Sequence, residues 1–365
     1  MCSLATVAHT FILFGNATRA SIRQCHGPCS LAVYLGCGRL YHIGTNRQMN
    51  DRSEANEGVR ALFSGVAPER PEEIEQILET IQYELADDRP ALHLEATAFF
   101  GRGLVVLTNR TMQQIWLIAY LSWRTLREQS GFVIVALATR TPYDVSQHPK
   151  NDIYIKHVDR LGEDLTALRT ADVGRNPWPS DVPRLDPQLS ELRDEEDRAV
   201  YDLSCFAAAF VLLHETHHAL KRARGETWGG VEEELECDRY ATGFLLDRSD
   251  AYAIPRNFEP SKVFRKRAMG VFLGLAVTFE STEMGLWLAS ESHPSAYDRI
   301  RQLVQFVDPI ISNEDDDFWI FASCVLLSRV RRGSQLPATI RFLSPRDLFY
   351  KALELIRIAE RTCGE

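Results

Sequence analysis

The chain has 365 residues, 45% of them hydrophobic and 25% charged, the composition of an ordinary globular protein. A net charge of -9 and a pI near 5.7 exclude a general nucleic-acid binder, which would carry a basic face or stripe. Eight scattered cysteines exclude a short disulfide-stapled scaffold, and no stretch reaches the ~18 consecutive apolar residues of a membrane-spanning helix.

The first residues, M-C-S-L-A-T-V-A-H-T-F-I-L-F, hold an apolar run with no basic segment before it, so no signal peptide is expected, and Cys2 follows no lipobox. A cytoplasmic protein with no membrane and no nucleic-acid partner is the expectation. Residues 30–45 look like two short strands around Gly36-Cys37-Gly38, and 46–60 look like a polar loop. Cys25-His26-x-x-Cys29 with Cys37 lacks the paired Cys-x-x-Cys spacing of a zinc site, so buried free thiols are expected there. The spacing of Ile74, Ile77, Leu78, Ile81 and Leu85 predicts a helix over 71–85. A hairpin is expected over 91–108 across Gly101-Arg102-Gly103, followed by a helix over 110–128. The β-branched run 132–139 (F-V-I-V-A-L-A-T) predicts a buried strand, and 152–158 another. Residues 1–173 thus form a mixed α/β region, to which a recognition or regulatory role is assigned.

Residues 174–187 contain four prolines in fourteen positions and can be neither helix nor central strand. They are expected to connect to a second region, 188–365, with Trp178 pinning the segment to a surface. That region is nearly all helix, with a first helix leading into His214 and others near 231–247, 262–290, 294–307, 316–331 and 345–361. Fold class is therefore α+β, with a mixed N-terminal half and a mainly helical second half.

Within the first of these helices, residues 211–218 read V-L-L-H-E-T-H-H. His214 and His218 are four apart, so they share a helix face and can grip one Zn²⁺, with Glu215 beside them to reach a water on the metal. The preceding run 203–213 has no charged residue, so this helix is expected to be buried and its polar residues to need partners. In the next helix, V-E-E-E-L-E-C-D-R-Y-A-T-G-F-L-L-D, Glu234 and Asp238 fall in the middle of the apolar face. Glu234 can be the third ligand, with Glu232 and Glu236 as alternatives if the helix phase is shifted. Asp238 can accept the Nδ1–H of a ligand histidine. Two His and one Glu leave a fourth position for water, the mark of a catalytic site. His217 lies beside the site but off the ligand spacing.

H-E-T-H-H followed by E-L-E-C-D-R-Y-A resembles the zinc peptidases with a Glu-x-x-x-Asp third-ligand helix, and His293-Pro294-Ser295-Ala296-Tyr297-Asp298-Arg299-Ile300 is similar to the His-Pro…Arg-Ile segment of those families. Cys237 stands where alanine is usual. Membrane-embedded members carry transmembrane helices. Among soluble families the chain resembles the phage-exclusion peptidases, the Lit-type bacterial suicide proteases, over roughly 175–305. The resemblance implies a zincin-like catalytic half and a zinc-dependent endopeptidase acting on a host protein. It also implies that His293 donates a hydrogen bond to the oxyanion; otherwise His293 merely precedes Pro294 at a helix start. Arg299 is expected either to pair with Asp238 or another site carboxylate, or to lie on the surface. The rival expectations are a regulator-cleaving cytoplasmic metalloprotease and a non-catalytic, zinc-stabilised binding protein. Oligomeric state is not specified by any of these features.

Overall fold

The computed structural model describes residues 47–86, 94–99, 101–144, 160–168 without 162, 177–179, 182, 195–226, 229–280, 293–313, 316–333 and 339–363. The expected strands at 30–45 and 152–158, the cysteines Cys25, Cys29 and Cys37, and most of 174–187 lie outside these residues. Inside 174–187, the Trp178 indole N–H donates to the Val182 carbonyl at 2.7 Å, and its ring packs against the core.

Helix α1 (Arg47–Val66) occupies the stretch expected to be a loop. Its polar composition hides a narrow apolar stripe: Ala55, Val59, Leu62, Phe63 and Val66 recur at helical spacing and are all buried. Helix α2 (Pro71–Thr80) starts on a proline, with Glu72 and Glu73 in its first turn. The helix expected over 71–85 ends there, and strand β1 (Ile81–Leu85) follows without a loop. The helical spacing does continue through Ile81 and Leu85. The segment I-Q-Y-E-L also alternates, however, burying Ile81 and Tyr83, and strand pairing satisfies its backbone.

Strands β2 (Leu94–Phe99) and β3 (Arg102–Leu107) form the expected antiparallel hairpin, with Gly101 at φ 77° in the turn. β1 pairs parallel to β3, giving the order β1-β3-β2. Helix α3 (Asn109–Thr139) is capped by Thr108, whose side chain accepts from the Thr111 N–H. It runs straight through the expected strand at 132–139. There Val133 and Ala136 are buried while Phe132 and Val135 are exposed, the alternation of one helix face rather than of a pleat.

The second half is helical as expected: α4 (Glu195–Ala223), α5 (Val231–Leu246), the short α6 (Ser249–Ala253), α7 (Pro260–Glu280), α8 (Ala296–Val307), α9 (Asp317–Gly333) and α10 (Pro345–Cys363). Strand β4 (Tyr143–Asp144) pairs antiparallel with β5 (Thr339–Ile340), a link between distant parts of the chain that no sequence pattern indicated. The fold is α+β, with a small three-stranded sheet and a mainly helical C-terminal half.

One apolar cluster runs continuously from Ala55 to Ile356, and α4 passes through it. The segment Arg198–Ala223 is long and apolar enough to cross a bilayer, yet it is mostly buried inside the protein. Two close approaches fix its position. Gly270 and Gly274 of α7 let that helix settle onto Phe206 and Phe210 of α4. Gly103 of β3 sits where a Cβ would lie 2.8 Å from the Ala219 carbonyl oxygen of α4. A buried ion pair then ties the α1–α2 turn to α7: Arg267 grips both oxygens of Glu69, one at 2.9 Å, and also donates to the Leu245 carbonyl at 3.0 Å.

Gly274→Ala tests the first approach. At an open helical position this change gains up to about 1 kcal/mol from helix propensity. Here the new Cβ would sit 2.7–2.9 Å from the Phe210 side chain. Urea denaturation should therefore show a loss of about 1–3 kcal/mol. A gain would mean that α4 and α7 are not packed this closely.

Candidate metal centre

The site forms where α4 and α5 face each other. Helix α5 begins after Gly230, held at φ 87°, and its first turn carries Glu232, Glu233 and Glu234 at the positive end of the helix dipole. Helix α8 begins at a reciprocal cap: the Ser295 hydroxyl accepts from the Asp298 N–H at 3.1 Å and donates to the Asp298 carboxylate at 2.8 Å. This start aims Arg299 inward.

His214 and His218 are both buried, and their Nε2 atoms stand 3.2 Å apart. Glu234 faces them with one carboxylate oxygen 3.3 Å from each Nε2. On their other sides, the His214 Nδ1 lies 2.9 Å from Asp238 Oδ1, and the His218 Nδ1 lies 2.6 Å from Glu233 Oε1. A carboxylate can only accept, so each Nδ1 carries the hydrogen and donates it. Each Nε2 is then left with a lone pair, and both lone pairs and the Glu234 carboxylate converge on one point. Such a set needs a positive charge at its centre. A proton meets part of the need. Burial works against charging His214, but hydrogen bonds with Asp238 and Glu234 outweigh it and push the group up to about 9. Burial alone would raise Glu234; its hydrogen bonds with the two imidazoles, together with the charges of His214 and Arg299, hold it far below the usual carboxylate range.

The geometry would also suit a metal ion. Ligands ~2.0–2.1 Å from a tetrahedral centre lie ~3.3–3.4 Å from one another, close to the separations found here. Among the described residues, Cys237 is also near, its Sγ grouped with His214 and His218 within 4.8 Å. Burial and then the charges of Glu234, Glu233 and Asp238 push this thiol well above its usual range, whereas a metal ligand must be a thiolate. Glu234, with a carboxylate oxygen 3.3 Å from each Nε2, is a second candidate for the third donor. The alternatives point elsewhere: Glu232 is exposed, and Glu236 is engaged by Lys221 and lies 3.5 Å from His217. His217 stacks on Tyr240 with ring centroids 4.5 Å apart.

Glu215 is half-buried beside this group; burial raises its carboxyl against the pull of His214 and His218. His293 is largely exposed and directs Nδ1 to within 3.5 Å of Glu234. Arg299 takes the first of its expected roles, pairing with Asp238 through two contacts of 2.6 Å. Two neighbours were not anticipated in these roles. Glu233 lies beside the predicted ligand, but its partner His218 is on another helix, so no pattern within α5 reveals it. Cys237 had looked like an inert small residue.

The sheet is tied to α4 behind the two imidazoles. Thr216 gives its only hydroxyl proton to the Leu212 carbonyl at 2.6 Å, so the Tyr83 hydroxyl of β1 must donate to Thr216, also at 2.6 Å. Arg222, at the end of α4, donates to the Ala96 carbonyl of β2. Strands β1 and β2 are therefore each tied to α4, one within the His-Glu-x-x-His turn and one just after it.

A family model described as Peptidase U49 matches residues 105–322, more than half of the chain and all of α4, α5 and α8. No curated protein and no solved structure matches it.

Two predictions follow from the α8 connection. Arg299→Leu leaves Asp238 buried without its guanidinium and should cost about 3–5 kcal/mol in chemical denaturation; a change under about 1 kcal/mol would show that the pair is not closed in solution. Glu360 of α10 accepts the Tyr297 N–H at 3.1 Å, and burial, reinforced by Asp298, lifts it to about 7 despite that bond. The folded state therefore holds this proton more tightly than the unfolded chain does. Its stabilising effect is present below the unfolded value of 4.5 and is lost as pH rises to about 7. Glu360→Gln should raise the unfolding midpoint at pH 8, by about 1–3 kcal/mol in stability, and leave it nearly unchanged at pH 4. Equal shifts at both pH values would contradict this.

Proposed function

The chain belongs to the peptidase U49 family, and from that premise we propose that it is a zinc-dependent endopeptidase. His214, His218 and Glu234 would hold the metal. The observation that carries the proposal is the convergence of two imidazole lone pairs and one carboxylate on a single point, with both Nδ1 atoms already committed to carboxylates. Held there, zinc would supply Lewis acidity, lowering the pKa of a water from 15.7 to about 7 and polarising the scissile carbonyl.

The chain's own residues do the rest. Glu215, raised by burial, takes a proton from the attacking water and passes it to the leaving amine. His293, exposed at the rim, donates a hydrogen bond to the oxyanion developing on the substrate. Asp238 fixes the His214 tautomer, and its charge is balanced by Arg299. The substrate is a protein. We assign the activity to phage exclusion in the cytoplasm, by cleavage of a host protein; the likeness of H-E-T-H-H, E-L-E-C-D-R-Y-A and the His293–Ile300 segment to that group supports this. Residues 1–173 are assigned to substrate recognition or to control of activity.

Glu215→Gln is the direct test. It should bind zinc at about one per chain, as the wild type does, and lose about 10²–10⁴-fold in the appearance of new protein N-termini when expressed in cells. Unchanged cleavage would remove Glu215 as the base. Zinc with no new N-termini from the wild type would favour a metal that only holds the helices together.

A further inference from the structure

Each imidazole of the His-Glu-x-x-His pair has its own carboxylate on α5, and the two carboxylates are not equivalent. Asp238, which serves His214, is also gripped by both nitrogens of a buried Arg299. Glu233, which serves His218, is also buried, though less deeply, and its contact is the shorter, 2.6 Å against 2.9 Å. No guanidinium is bonded to Glu233 among the described residues. We propose that Glu233 is the positioning residue for the second histidine: it holds Nδ1–H, fixes the tautomer, and turns the Nε2 lone pair of His218 toward the metal. This rests on the zinc reading above.

Two physical arguments support the assignment. The first is geometric. His218 is one turn from the end of the buried part of α4, and its other polar neighbours, His214 and Glu234, both lie at Nε2. Without Glu233, nothing among these contacts holds the hydrogen on Nδ1. The imidazole could then place its hydrogen on Nε2, where it would block the metal. The second is electrostatic. A carboxylate bonded to the far side of a ligand imidazole raises its basicity and hence its affinity for a cation. Arg299, bonded directly to Asp238, offsets this effect there; the cation nearest Glu233, Lys221, is bonded to Glu236 instead. Of the two carboxylates, Glu233 should therefore contribute more to metal affinity and Asp238 more to the stability of the fold. Glu233 also adjoins Glu234 in sequence, so one helical turn supplies both a ligand and the group that orients another.

The test is zinc affinity, measured on the full chain by competition with a chromophoric chelator, beside the unfolding midpoint in excess chelator. Glu233→Ala should weaken zinc about 10–100-fold. Glu233→Gln keeps an acceptor for Nδ1–H and should bind zinc at least about fivefold more tightly than the alanine variant, though less tightly than the wild type. Glu233→Leu, which keeps the volume without the acceptor, replaces the alanine variant if that chain does not fold, and should behave as alanine is expected to. Alanine or leucine within about twofold of wild type would overturn the inference, and so would glutamine no tighter than alanine, since a purely structural role predicts no rescue by an acceptor. A wild-type chain that binds no zinc would bring down the zinc reading and this inference together. Tight wild-type binding with indifferent Glu233 variants would remove the inference alone.

Discussion

Two imidazole lone pairs and a carboxylate, aimed at one another inside a protein core, repel unless something positive lies between them. That constraint organises this protein. The Nε2 atoms of His214 and His218 stand 3.2 Å apart with Glu234 against both, and the other face of each ring is already committed. Holding such a set costs several kcal/mol of desolvation, which only a rigid surrounding structure can sustain. The buried helix α4, the paired carboxylates of α5, the inward Arg299 of α8 and the sheet pinned through Tyr83 and Gly103 supply that rigidity.

The same arrangement explains why the two halves of the chain cannot be considered separately at the site. The hydroxyl of Thr216, inside the His-Glu-x-x-His turn, is fixed by Tyr83 from β1, and β3 can approach Ala219 only because residue 103 is glycine. Arg267 and Glu69 make a second tie, between the α1–α2 turn and α7. A peptidase that needs its metal pair held within tenths of an ångström gains from such cross-links, because each one removes a way for α4 to slide or rotate.

Much of the helical half was legible in the sequence because its signals are local. The charge-free run before His214 acts within a turn or two. The inward phase of Glu234 and Asp238 could be read from the apolar residues around them. What failed were places where two periodicities compete. Ile81 and Leu85 continue a helical spacing into a strand, because the decisive partner, β3, lies twenty residues on. The run 132–139 is rich in β-branched residues yet stays helical, because α3 offers it a half-buried face and no sheet is at hand. The polar α1 was missed because five apolar side chains on one stripe are enough once a core exists to receive them. Glu233 and Cys237 escaped for a related reason: their roles depend on α4, and no pattern within α5 encodes it.

The central claim is that two nitrogens and one carboxylate hold the metal, with the nearby thiol left out. X-ray absorption on the zinc-loaded chain tests it most directly. The account predicts a first shell of nitrogen and oxygen at about 2.0–2.2 Å, two imidazoles among it, and no sulfur. A sulfur scatterer at about 2.3 Å would make Cys237 a ligand and contradict the assignment of an open, carboxylate-completed site.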